Sequence, residues 1–179
     1  MKETIINPVI KDEVTFTQTA AQTGGRISTL LVKLMPGGGT PLHYHKHFSE
    51  TFSVVEGVLT LTLANRKVRL SSGEKFTVEK GVVHNFSNES VEPVLFTTVI
   101  LPGSAGFEHA LRVLYGLAAD GQTDEKGIPR NPLVLAAVSA MSDMHPAGIA
   151  VVFTPLFALL GCIARVAGVR QRLFKKYCV

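Results

Sequence analysis

Three imidazoles and one carboxylate are spaced so that they can meet. His43 and His45 are two residues apart, so on a strand both side chains leave the same face. Glu50 follows five residues later, across a bend, at the start of the next strand. His84 arrives from a separate strand downstream. Converging on one interior, His43, His45, Glu50 and His84 make a transition-metal site. Neutral imidazole suits iron, manganese, nickel, copper or zinc, and the carboxylate adds charge and hardness. The expected cofactor is therefore one such divalent ion. Four protein ligands leave positions open when the metal is five- or six-coordinate. His47 continues the alternation of His43 and His45, but the chain is expected to bend there towards Glu50 and leave His47 in the loop beside the site. His109 and His145 read as helix-surface or helix-end residues.

Strand parity gives the expected walls of a substrate pocket. Phe52 and Val54 share a face with Glu50, and Val82 and Phe86 share one with His84. With His47 beside them, these residues outline a largely apolar cavity, suited to a ligand with a hydrocarbon or aromatic part. The sequence places no further Asp or Glu as a general base. The metal itself could supply a hydroxide or act as a Lewis acid, and such a site could also bind dioxygen. Gly37-Gly38-Gly39 is not a phosphate loop, because no Lys-Ser/Thr follows and no helix starts there.

The elements that must position these groups are short strands. Val14 to Thr19 alternates, and Arg26 to Met35 is a β-rich run ending at Pro36-Gly37-Gly38-Gly39. Thr51 to Glu56, Val58 to Leu63, Lys67 to Leu70, Lys75 to Val78, Val82 to Phe86 and Val94 to Leu101 follow. Asn65-Arg66 reads as a hairpin connection and Ser71-Ser72-Gly73 as a turn. Many short strands separated by turn residues mean a sandwich or barrel. After Pro102-Gly103 the period changes. Phe107 to Ala118 and Leu133 to Met144 read as helices, divided by a polar loop from Asp120 to Pro132. His145-Pro146 reads as a break. A last segment from about Ala147 to Tyr177 is expected to be interrupted at Pro155.

These residues resemble a known family. Gly37-x5-His43-x-His45-x4-Glu50-x6-Gly57 matches the first cupin motif at every defined position. Gly73-x5-Glu79-x-Gly81-x2-His84-x3-Asn88 matches the second, with Glu79 where the family usually has proline. Fifteen residues separate the motifs. The resemblance covers roughly residues 25 to 103. It implies a mainly β fold, the cupin double-stranded β-helix or jelly-roll barrel, and it implies that His43, His45, Glu50 and His84 are the metal ligands. The Glu79 departure touches a turn, not a ligand. Tyr115 to Gly121 and Pro155 to Leu160 are similar to stretches of bacterial cupin-domain proteins with an apolar helical C-terminal extension. The expected organisation is a cupin barrel over residues 1–103 and a helical extension over 104–179.

Composition narrows the setting. The chain has 179 residues, 46% of them apolar and 18% charged, which argues against disorder as the main state. Two cysteines cannot build a disulfide scaffold. The net charge of +4 comes from the tail: without Arg165, Arg170, Arg172, Lys175 and Lys176 the chain would carry −1. That distribution, with no nucleic-acid motif, points away from a nucleic-acid partner. The N-terminal residues lack the apolar run of a signal peptide, so a cytoplasmic protein is expected. From Pro146 to Ala164 there are 19 consecutive uncharged residues, followed by the basic tail. They read as helices packed on the barrel or on a second subunit of a homodimer, as an interfacial anchor making peripheral membrane contact, or as a span. Three functions stay open: a metal-dependent enzyme on a small, partly apolar molecule, of oxygenase or isomerase type; a non-catalytic small-ligand binding or sensing module; and a membrane-surface or subunit interaction protein with an inert barrel.

Overall fold

The computed structural model describes residues 3–64, 66–147 and 154–179. Its strands are β1 (Thr4–Asn7), β2 (Asp12–Gln18), β3 (Ser28–Leu34), β4 (His43–Tyr44), β5 (Ser49–Glu56), β6 (Val58–Leu63), β7 (Arg66–Ser71), β8 (Lys75–Val78), β9 (His84–Ser87) and β10 (Val94–Leu101). Then come α1 (Ala105–Ala119), α2 (Pro132–Ser142), β11 (His145–Pro146), α3 (Thr154–Val166) and α4 (Val169–Tyr177). The strands form two antiparallel sheets, ordered β1-β2-β3-β10-β5-β8 and β11-β4-β9-β6-β7. Alternation decides which side of each strand is buried. Leu30, Val32 and Leu34 of β3 face inward with Phe96 and Ile100 of β10 and with Phe52 and Val54 of β5. Leu59, Leu61 and Leu63 of β6 meet them from the other sheet.

Helix α1 is the layer between the barrel and the other helices. Phe107 and Tyr115 enter the barrel core, whereas Ala110, Val113 and Leu117 pack against Val138 and Met141 of α2 and Leu173 of α4. A helix sandwiched this way must be apolar on two faces, and that is where part of the chain's high apolar content goes. Polar anchors fix its start. Ser104 caps it by accepting from the Phe107 N–H (3.1 Å). Buried Glu108 accepts from Ser28 Oγ and the Ala20 N–H, both at 2.6 Å. On the outer side Arg112 donates to both Glu3 oxygens and lies 4.0 Å above the centre of the Phe16 ring. Two glycines let the neighbouring elements close on α1. A Cβ on Gly106 would come within 2.5 Å of the Met141 carbonyl oxygen, and one on Gly116 within 2.2 Å of the Tyr177 ring.

Several elements differ from the sequence reading. The strand expected from Val82 starts at His84, because Val82 closes a turn by donating to the Glu79 carbonyl (3.2 Å). That turn forms although Glu79 replaces the usual proline. Arg66 begins β7 and pairs with Leu63, and Asn65 of the expected hairpin connection lies outside the described residues. His145-Pro146 is a two-residue strand paired with His43–Tyr44. Pro155 stands in the first turn of α3, where its missing N–H costs nothing; the stretch before it, on which the expected interruption depends, lies outside the described residues. A break that the sequence reading did not place falls at Gly168, whose φ of 64° separates α3 from α4. The uncharged run from Pro146 to Ala164 is thus not one helix, and its residues 148–153 lie outside the described part. Among the described residues no helix is long and apolar enough to cross a membrane.

Candidate metal centre

His43 and His84 sit directly opposite each other where β4 pairs with β9. His45 follows β4, and Glu50 takes the first inward position of β5, in the facing sheet. One ligand atom from each of these four residues lies within 4.8 Å of the other three. All four side chains are buried. The structure therefore brings together a group that could hold a metal ion.

The backbone aims the rings. Nδ1 of His43 lies 2.8 Å from the Pro41 carbonyl, Nδ1 of His45 3.0 Å from that of Asp143, and Nδ1 of His84 2.9 Å from that of Val82. A carbonyl only accepts, so each Nδ1 carries the proton and each Nε2 faces the centre. Nε2 of His84 is 2.9 Å from Glu50 Oε2. Nε2 of His45 is 3.2 Å from the same oxygen, but not in line for a hydrogen bond, and so is buried without a partner. An orphaned ring nitrogen beside a shared carboxylate oxygen, in a set of three nitrogens and one oxygen, fits a divalent transition metal.

The charges are adjusted accordingly. Burial, reinforced by His84 and His45, pushes His43 down to about 4, so this imidazole is neutral at physiological pH. Burial would raise Glu50, but His45 and His84 outweigh it and hold its carboxyl below the usual range. Burial opposes charging of His84, yet the hydrogen bond and charge of Glu50 leave its pKa raised. The group thus keeps a carboxylate in a dry interior, where a cation is its natural partner.

Asp143 supports this arrangement from the helical part. It ends α2 in the left-handed conformation, φ 53°. Its Oδ2 accepts from the backbone N–H groups of Lys46 and His47 at 2.8 and 2.7 Å, and its Oδ1 is 2.9 Å from His47 Nδ1 and 3.0 Å from His145 Nε2. Those bonds outweigh its partial burial and hold its carboxyl below the ordinary value. One residue therefore ties the end of α2 to the segment carrying His45.

A cavity of about 360 Å³ reaches His43 and Glu50 between barrel and helices. Val14, Leu30 and Val32 form its barrel side, and Phe107, Leu111 and Leu114 its α1 side. Of the expected pocket residues, Phe86 lines it. Phe52 and Val54 face inward as parity requires but are packed into the core. Val82 stands exposed in its turn. His47 is exposed, bound to Asp143, and borders a separate surface depression that contains none of the four metal-centre residues. Among the cavity residues that the sequence reading missed are its two polar partners, Asp12 and Tyr115. The signal for Asp12 was available, since it precedes Val14 and Phe16 on the same inward parity of β2.

Residues 30–100 match the family model described as Cupin domain. A predicted oxalate decarboxylase from Thermotoga maritima is 18% identical and superposes with a TM-score of 0.51, over 57% of this chain and 92% of its own. KdgF from Halomonas sp. is 20% identical over 52% of this chain and 81% of its own, with a TM-score of 0.47. A sugar phosphate isomerase from Silicibacter pomeroyi is 23% identical over 56% of this chain and 71% of its own, with a TM-score of 0.49. At these identities the likeness concerns the fold alone. No curated protein sequence matches the chain. With two antiparallel sheets, a buried three-histidine, one-glutamate group and a family-model match that spans both motifs, residues 30–100 are identified as a cupin domain.

Proposed function

We propose that this protein is a metal-dependent enzyme acting on a small, partly apolar molecule, with His43, His45, Glu50 and His84 holding one divalent transition metal. The observation that carries this reading is the joint aim of three carbonyl-fixed imidazoles and a buried carboxylate at one point, beside a cavity open to two of them. Bound there, the metal would supply a Lewis acid, or a redox centre if it is iron, manganese, nickel or copper. The chain's own contribution is positional. The apolar walls exclude water and take up the hydrocarbon part of the ligand. Phe48 stacks on His45, ring centres 4.2 Å apart, and Phe107 meets it edge-on at 5.9 Å. Both rings restrict the imidazole to the orientation that its Nδ1 bond selects. Oxygenation and isomerisation both remain within reach of this arrangement.

The division that goes with it is a barrel over residues 1–103 and a helical extension over 104–179 that forms one wall of the substrate cavity. Leu156, Leu159, Ile163 and Val166 of α3 are exposed along one stripe, and this supports pairing with a second copy. A sensing role is the second reading, and Asp143 favours it: a ligand shifting the His45 segment would act directly on the end of α2.

Metal analysis of untagged protein, purified without added metal and then reconstituted, tests the enzyme reading. One equivalent of iron, manganese, nickel, copper or zinc per chain is expected. No metal as purified and no uptake on reconstitution would overturn it. Asp143→Ala is expected to loosen the His45 segment and lower metal affinity by about 10–100-fold, read by chelator competition.

A further inference from the structure

The cavity beside the metal centre has a second polar point at its other end. Asp12 faces into it at the start of β2 and is only 4% exposed. Tyr115 donates its hydroxyl to Asp12 Oδ2. Asp12 Oδ1 is buried and has no partner. Helix α1 measures the separation. Phe107 touches the His45 ring and Tyr115 holds Asp12, and the eight residue steps from one to the other advance about 12 Å at 1.5 Å each. Apolar side chains, Val14, Val32, Leu111 and Leu114, fill the interval.

Buried Tyr115 needs an acceptor here, but one carboxyl oxygen serves it. The β2 ladder is made by the backbone, and Val14 and Phe16 show what the inward positions of this strand otherwise hold. A buried carboxyl oxygen without a partner destabilises a fold, so its presence in a ligand-sized cavity calls for a partner that arrives with the ligand. We propose that the cavity takes an elongated, mainly apolar molecule carrying a hydroxyl at the end away from the metal centre, and that Asp12, braced by Tyr115, binds that hydroxyl through Oδ1. The inference rests on reading the cavity as the substrate site, and it adds the substrate class: a neutral alcohol or phenol.

The choice of a hydroxyl follows from the chemistry of the pair. Burial raises Asp12 to about 7 against the lowering effect of the Tyr115 bond, so both its acid and its carboxylate are present near neutrality. A hydroxyl donates to one form and accepts from the other. A carboxylate ligand would be repelled by the charged form, and an ammonium would find a counter-charge only in that form. Asp12 is thus a positioning residue for the far end of the substrate.

Two matched probes test this on the full-length protein: 4,4′-dihydroxybiphenyl and 4-hydroxybiphenyl, titrated calorimetrically. The second hydroxyl is expected to tighten binding to the wild type by about tenfold. In Asp12→Leu the difference should fall to about twofold, the statistical advantage of two equivalent ends. Should Asp12→Leu fail to fold, the double variant Asp12→Leu with Tyr115→Phe carries the test, because it leaves no buried polar group without a partner. Equal binding of both probes to the wild type, or a tenfold preference that survives the substitutions, would overturn the role of Asp12 and leave the cavity as a ligand site. Binding of neither probe at millimolar concentration would overturn the cavity reading and this proposal together.

Discussion

His84→Ala is expected to cost the protein its metal and, with it, the metal-dependent part of its stability. His84 stands at the centre of the group: it faces His43 across the β4–β9 pair and lies 2.9 Å from Glu50. Removing it deletes one of three nitrogen donors and leaves the buried Glu50 carboxylate with less to offset its charge. An ion that binds only the folded state stabilises it by about 4 kcal/mol when free metal is a thousandfold above the dissociation constant. Wild-type protein should therefore melt at a markedly higher temperature with metal than with chelator, and the variant should melt at the same temperature in both. A metal-dependent gain that persists in His84→Ala would refute the assignment of this ligand.

The same centre fixes the direction of a pH effect. In the metal-free chain His43 is depressed from the usual 6.5 to about 4, so the unfolded state binds the proton first on acidification. The stability contributed by its neutral form is complete above about 6.5 and is lost as pH falls towards 4. Metal binding needs the same unprotonated imidazole, so metal affinity should weaken over this interval too.

The four residues of this group were legible in the sequence because their spacing and their parity agree. His43 and His84 lie on the inner faces of paired strands, and Glu50 on the inner face of the opposing sheet. β8 and β10 were legible to the residue, since each is an apolar alternation bounded by turn chemistry. β4 and β11 were not. A two-residue strand has no period, and these two exist because His43–Tyr44 and His145–Pro146 meet across more than 90 positions of chain. Asp143 carried no local signal. Its role depends on the end of α2 arriving beside Lys46 and His47. Parity alone also could not separate Phe86, which lines the cavity, from Phe52, which fills the core, because both face inward.

Asp12→Asn is expected to stabilise the protein in alkaline solution and to have little effect in acid. Burial raises the Asp12 carboxyl from the usual 3.8 to about 7, partly offset by the hydroxyl of Tyr115. Tyr115, buried against an acid, is itself raised well above 10.0, so it stays protonated and cannot take over the charge. A group whose folded pKa is raised favours folding while it is protonated. That contribution is complete below about 3.8 and is lost as pH rises through about 7. Across that interval the wild type forfeits roughly 4 kcal/mol, because each tenfold change in proton affinity corresponds to about 1.4 kcal/mol. Asparagine keeps the size of the side chain and an acceptor for Tyr115 without ever ionising. Denaturant titrations of wild type and variant should therefore nearly coincide at pH 4 and separate at pH 9 by a few kcal/mol in favour of the variant. Parallel stability curves across that range would show that Asp12 ionises freely, which would mean that water reaches Oδ1. His43 and Asp12 respond oppositely to pH over nearly the same interval: the first gives up stability as pH falls from about 6.5 to 4, the second as it rises from about 3.8 to 7. In the metal-free protein their contributions therefore largely offset each other between about 4 and 7, and the Asp12→Asn variant, which keeps only the His43 effect, should gain stability steadily over that range.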